Sequence, residues 1–232
     1  IFLIKDVRGI LKQIDIQKWM TYFKVRVLGA FKERVVFIGL QGSYGRGEQT
    51  PTSDIDVVVI LDIAEFSDFQ LYRAVLDQMQ FRHLVCGFVA GMPQLFAWEK
   101  YDLLQLYLDA VPYFGSLDFL KECFTQEDVK RAVRIGACNV FHAALHNFLH
   151  ARDRSAIKDI YKAARFVVRL KHYRDTGVYV PAMKELIKVA GAEDNCILAI
   201  CGQTFAGNDE NEFAQKSKTL IEWAGNIIKN AA

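Results

Sequence analysis

The sequence predicts an α+β domain followed by a helical bundle, on three observations. Up to about Gly115, β-branched runs alternate with helical spacings; from Leu117 onward the apolar spacing is helical almost throughout; and no repeat or low-complexity tract marks another boundary. The expected division is therefore residues 1–115 and 116–232.

Composition sets the outer limits. With 52% hydrophobic and 24% charged residues, the 232-residue chain has the apolar material for a sizeable core, which excludes disorder, collagen and coiled coil. Its apolar runs, such as Val57 to Leu61, fall far short of the ~18 residues of a membrane span, so no membrane partner and a cytoplasmic location are expected. A net charge of +2 is too mild for a protein that tracks extended nucleic acid by charge, and a small partner is expected instead. The five cysteines have no C-x-x-C spacing and sit in apolar stretches, which predicts buried thiols in a reducing compartment, without disulfides or zinc.

The elements follow in order. Ile16, Trp19, Met20, Phe23 and Val27 recur at three and four residues, predicting an amphipathic helix that leads into a strand over Val35 to Leu40. A glycine loop, Gly42-Ser43-Tyr44-Gly45-Arg46-Gly47, and the turn-rich Thr50-Pro51-Thr52-Ser53 precede a second buried strand from Asp54 to Leu61. Ser67 with Gln70 reads as a capping box for a helix burying Leu71, Val75, Leu76 and Met79. Further strands are expected at Leu84 to Ala90 and Asp102 to Leu108. In the second part, Thr125 with Asp128 caps a helix to about Ala151, and helices follow at Asp153 to Arg174, Ala182 to Ala190, Glu193 to Ile200 and Asp209 to Lys229.

The segment from Val36 to Leu61 carries chemistry. Glycines at 42, 45 and 47 let backbone amides approach a phosphate chain, Ser43 adds a hydroxyl donor, and Arg46 adds a cation suited to phosphate oxygens. Asp54 and Asp56 stand two apart in an extended strand, so their carboxylates leave one face and can share a hard divalent cation such as Mg²⁺. Walker A is excluded because Glu48 follows Gly47, and G-x-G-x-x-G fits no frame of residues 42–50.

Gly42-Ser43-x-x-Arg46-Gly47 followed by Ser53-Asp54-Ile55-Asp56-Val57 resembles the signature of the DNA polymerase β-like nucleotidyltransferase superfamily, and within it the two-domain bacterial proteins related to aminoglycoside nucleotidyltransferases. The resemblance implies an N-terminal mixed-sheet nucleotidyltransferase domain before the helical bundle. It also implies a nucleoside triphosphate held by Gly42 and Ser43, with Arg46 and Ser53 beside it, and Mg²⁺ bound by Asp54, Asp56 and a third acid on a later strand. For that acid the pattern favours Asp102, which shares a strand face with Leu104, Leu106 and Leu108 as Asp54 and Asp56 do with Val58 and Ile60; Asp109 is the runner-up and Glu99 stands behind it.

In the helical part, Lys158, Lys162, Arg165, Arg169 and His172 form one stripe; Lys162 and Arg165 from it, with the adjacent Tyr161, read as nucleotide-binding, and the competing reading is a solvated face. His142, His146 and His150 also share a helix face but lack the acid of H-E-x-x-H, and read as surface or structural histidines. Trp98, Tyr101, Tyr107 and Tyr113 read as core before base- or acceptor-stacking residues. The function expected from these residues is Mg²⁺-dependent transfer of a nucleoside monophosphate, AMP from ATP, to a hydroxyl of a small acceptor such as an aminoglycoside. The alternatives are adenylylation of a protein hydroxyl, a non-catalytic nucleotide-sensing protein on the same fold, and RNA tailing, which the mild charge disfavours.

Overall fold

The computed structural model describes residues 14–202 and 209–230. The chain divides into two compact units, Ile1–Lys121 and Glu122–Ala232. The first is built on a four-stranded mixed sheet of order β3-β2-β1-β4. Strand β1 (Val35–Gln41) pairs antiparallel with β2 (Ile55–Leu61) and with β4 (Val111–Phe114), while β2 pairs in parallel with β3 (Val85–Gly91).

Side-chain alternation along β2 sorts the sheet's two faces. Ile55, Val57, Val59 and Leu61 join Trp19, Met20, Phe23 and Val27 of helix α1 (Ile16–Phe31) and Tyr72 and Val75 of helix α3 (Phe66–Asp77) in one core. Asp56, Val58 and Ile60 therefore face the other side. The expected α1 is present, with Asp15 accepting from the Lys18 amide as its cap. The cap expected at Ser67 is not: the N-cap lies two residues earlier, at Glu65, with the Asp68 carboxylate accepting from the Glu65 amide at 3.0 Å. Asp68 prevails because Arg34 grips the same carboxylate at 2.7 and 2.9 Å, a tertiary contact that the local pattern does not contain. Leu71 is exposed, with Tyr72 buried beside Val75 instead, whereas Val75 and Met79 are buried as expected.

A second correction concerns residues 100–109, read as a strand from Asp102 to Leu108. They form helix α5 (Lys100–Asp109), preceded by a short helix α4 (Met92–Ala97). Alternating leucines suggested period two, but the segment holds no β-branched residue, and Leu, Gln and Lys are strong helix formers. Leu103, Leu104 and Leu106 are all buried, a grouping that one helix face permits and strict alternation does not.

The second unit is helical. Its longest members are α6 (Gln126–His146), α7 (Ile157–Thr176) and α10 (Glu210–Asn230), with shorter α8 (Met183–Val189) and α9 (Ala192–Cys201). Helix α6 packs against α7 and α10, and α9 against α7. The expected capping box is present: Asp128 N–H donates to Thr125 Oγ1 at 3.2 Å and Thr125 N–H to Asp128 Oδ2 at 2.8 Å. Beyond α6 a π-helical turn, Asn147–Ala151, replaces the regular helix expected to reach Ala151, and Phe148 is exposed. The cysteines depart from expectation in burial, since Cys86, Cys138 and Cys196 are exposed. Apolar neighbours in sequence do not bury a residue on the outer face of a helix or edge strand. No helix among the described residues is long and apolar enough to cross a membrane.

Candidate active site

The end of β1, the glycine segment and the start of β2 are brought together by register. Gln41 lies opposite Asp56 in the β1–β2 ladder, so the residue after it, Gly42, turns directly beside the acidic pair. The glycine loop is more ordered than its composition suggests: Gly42–Gly45 form a single helical turn (α2), with Arg46 N–H donating to the Gly42 carbonyl at 3.1 Å and Glu48 N–H to the Ser43 carbonyl at 2.8 Å. Tyr44 is buried in the core and anchors the turn. Gly42 and Gly47 both have φ of +68°, a left-handed conformation that favours glycine. A Cβ on Gly42 would fall on Asp56 Oδ2, whereas one on Gly47 would meet nothing within 4 Å.

A cavity of about 460 Å³ opens here, lined by Gln41, Gly42, Arg46 and Asp56, by Gly87 and Phe88 of β3, by Trp98, and by one face of α5. That volume suits a small-molecule ligand. Gln41 fixes α5 to the sheet by donating from Nε2 to the Leu106 carbonyl at 3.2 Å. Asp102 and Asp109, seven residues apart and hence on the same helix face, both line the cavity. Phe88 and Trp98 meet edge to face, with ring centroids 5.0 Å apart.

Charges organise the floor. Arg46 bonds Asp109 through Nη1 and lies 3.3 Å from Glu48 Oε2 through Nε. Both partners of the first pair are nearly sequestered, with side chains 13% and 5% exposed. Burial and then the neighbouring Asp54 charge push the Asp56 carboxyl above its ordinary pKa; Arg46 opposes them and Asp109 adds to them. Asp54 itself is exposed at the strand's mouth. Two hard carboxylates that repel each other beside a ligand-sized cavity fit a hard divalent cation such as Mg²⁺, which would relieve that repulsion. Among the described residues no three His, Cys, Asp or Glu side chains come together as one metal-binding group.

The other expected residues are distributed as follows. Ser43 lies in the α2 turn, and Ser53 Oγ accepts from the Thr50 amide at 2.8 Å, closing the turn before β2. Asp102 is exposed in the first turn of α5, Glu99 is its N-cap, and Asp109 is buried in its last turn. In the helical unit Tyr161 is buried and donates to the Lys216 carbonyl at 2.9 Å, Lys162 is exposed and paired with Asp159 at 2.9 Å, and Arg165 Nη1 lies 4.0 Å from Met183 Sδ. The cationic stripe is thus no uniform solvated face: Lys158 and Lys162 are exposed while Arg169 is 2% exposed. Sequence reasoning missed Gln41, Phe88 and Gln105 as cavity residues. A helical reading of residues 100–109 would have put Gln105 beside Asp102 and Asp109.

The strand–turn–strand carrying Gly42, Asp54 and Asp56 on a mixed sheet lies in the part of the chain that is similar to nucleotidyltransferase domains. Residues 25–90 match the family model described as nucleotidyltransferase domain. The chain is 41% identical over 49 residues to a Methanocaldococcus jannaschii protein named "Putative protein adenylyltransferase". That match covers 21% of this chain, and the chain spans about half of that relative's length, 49%. Its fold is similar to that of spectinomycin adenyltransferase AAD(9) from Enterococcus faecialis, solved with ATP and spectinomycin, at a TM-score of 0.55 and 16% identity over 92% of this chain and 99% of the other.

Proposed function

We propose that the protein transfers AMP from ATP to a hydroxyl of a small acceptor and releases pyrophosphate. The observation that carries this reading is the fit of the Gly42 backbone around the Asp56 carboxylate at the edge of a ligand-sized cavity. In it Gly42 and Ser43 offer backbone and hydroxyl donors to the triphosphate, and Arg46, already held by Asp109 and Glu48, presents charge to the same oxygens. Asp54 and Asp56 would hold Mg²⁺, while Asp102, which joins them in no three-residue group among the described residues, acts as the third acid from the cavity wall. Such an ion lowers the pKa of an attacking hydroxyl and neutralises charge developing on phosphorus. Asp102, exposed on the cavity wall, would take the acceptor's proton.

The acceptor class follows from the walls. Phe88 and Trp98 present aromatic surface, and Asp102 presents an exposed acid, a combination that suits a ring-bearing, cationic polyol such as an aminoglycoside. The free, exposed cysteines accord with a cytoplasmic setting.

A second reading, adenylylation of a protein hydroxyl, is favoured by the 41% identity to a protein named as a protein adenylyltransferase. One experiment separates the two. The protein is incubated with α-labelled ATP, Mg²⁺ and either spectinomycin, a panel of other aminoglycosides, or candidate proteins, with Asp54→Asn as control. Label on a small acceptor with pyrophosphate release supports the first reading, and label on protein alone supports the second. Absence of Asp54-dependent pyrophosphate release with every acceptor and nucleotide would refute both.

A further inference from the structure

The histidine stripe of the helical unit takes no part in the proposed transfer. His142, His146 and His150 are all exposed and four residues apart, with ring centroids separated by 6.1 Å for the first pair and 5.2 Å for the second. The closer pair straddles the junction where α6 gives way to the π-helical turn, which Arg152 closes by donating its amide to the Asn147 carbonyl at 2.7 Å. This turn is pinned. Asn147 is buried, its Nδ2 donates to the Asp153 carbonyl and its Oδ1 accepts from the Asp153 amide, both at 2.9 Å. The Phe148 ring lies 6.1 Å from that of Phe213 on α10. π-turns are rare and concentrate at functional sites. Here an anchored wide turn sets the spacing of two metal-competent side chains.

We propose that His146 and His150 chelate a divalent transition metal of the Zn²⁺ class. Two imidazoles bonded to one tetrahedral ion at about 2.0–2.1 Å place their ring centroids roughly 5 Å apart, the spacing of this pair. His142 lies further off and contributes less. Imidazole nitrogens suit Zn²⁺, Cu²⁺ and Ni²⁺, whereas Mg²⁺ prefers oxygen, so the site differs in kind from the Asp54–Asp56 pair. With two protein ligands, water completes the coordination.

The test is a calorimetric titration of Zn²⁺ into the full chain, with excess Mg²⁺ present throughout. The wild type is expected to bind Zn²⁺, and His146→Ala or His150→Ala to weaken that binding by about tenfold or more, as removing one of two ligands requires. His142→Ala should change it far less. Because these rings are exposed, metal-free melting temperatures of all variants should equal the wild type's; His146→Gln and His150→Gln repeat the comparison with bulk retained. Wild-type Zn²⁺ affinity in the His146→Ala/His150→Ala double variant would assign binding to the exposed cysteines or the acidic pair and overturn the proposal. So would a wild type that binds no Zn²⁺.

Discussion

The Asp56 carboxylate occupies the space that a side chain on Gly42 would need. Backbone strain and collision therefore coincide at this position, because Gly42 also sits at φ +68°. Gly47 has the same φ with open space around it, and so separates the two effects. Gly47→Ala is expected to cost about 1 kcal/mol, the scale of left-handed strain alone. Gly42→Ala should cost more, about 2–3 kcal/mol, and should abolish ATP-dependent transfer because the acid must move. Urea unfolding and pyrophosphate release of the two variants check this.

Asp54→Asn or Asp56→Asn is expected to remove transfer without unfolding the protein. The Asp56 carboxyl is raised above its ordinary 3.8 by burial and by Asp54. A raised acid stabilises the fold most below pH 3.8, and that contribution is lost as pH rises through the folded value. At neutral pH without divalent ions, Asp56→Asn should therefore melt higher than wild type. Added Mg²⁺ should raise the wild-type melting temperature and leave the variant's almost unchanged.

Arg34 holds the Asp68 carboxyl down to about 2, and the Glu65 amide assists. Here the sign reverses: the contribution is present above pH 3.8 and is lost as pH falls toward 2. Asp68→Asn should lower the melting temperature at pH 7 and flatten its decline between pH 4 and pH 2, measured by scanning calorimetry. The two halves of this experiment distinguish Asp68 from Asp56 by slope.

Arg46 and Asp109 form the most sequestered ion pair of the cavity. Removing one partner of such a pair leaves a buried charge uncompensated, so Asp109→Ala should cost about 3 kcal/mol. Arg46→Ala/Asp109→Ala should cost less than the two single changes added together, as a double-mutant cycle in urea would show. Asp109→Asn should also raise the KM for ATP, since Arg46 loses the partner that aims it.

In the helical unit, Lys162→Ala should leave stability unchanged, because the side chain is exposed and its pair with Asp159 is a surface one. Tyr161→Phe should instead lower stability by about 1 kcal/mol, the worth of its buried hydrogen bond to the Lys216 carbonyl. Equal melting temperatures for Tyr161→Phe and wild type would show that bond to be dispensable.

The sequence by itself determined what depends on local chemistry and short spacing. Apolar period made α1 and the long helices legible; the Thr125–Asp128 box marked the start of α6; and the β-branched runs marked β1 and β2. Gly42, Asp54 and Asp56 were readable for the same reason, since adjacent strands joined by a glycine turn keep their residues together whatever surrounds them. Tertiary structure decided the rest. Residues 100–109 satisfy strand alternation on paper, yet their helix propensity and burial on one side turn them into α5, which moves Asp102 and Asp109 onto a cavity wall. Arg34 selects Asp68 over Ser67 as the determinant of the α3 cap, a choice made 34 residues away in the chain. The pairing of Arg46 with Asp109, 63 residues apart, likewise arises only when α5 docks through Gln41, because long-range contacts leave no periodic trace in a sequence.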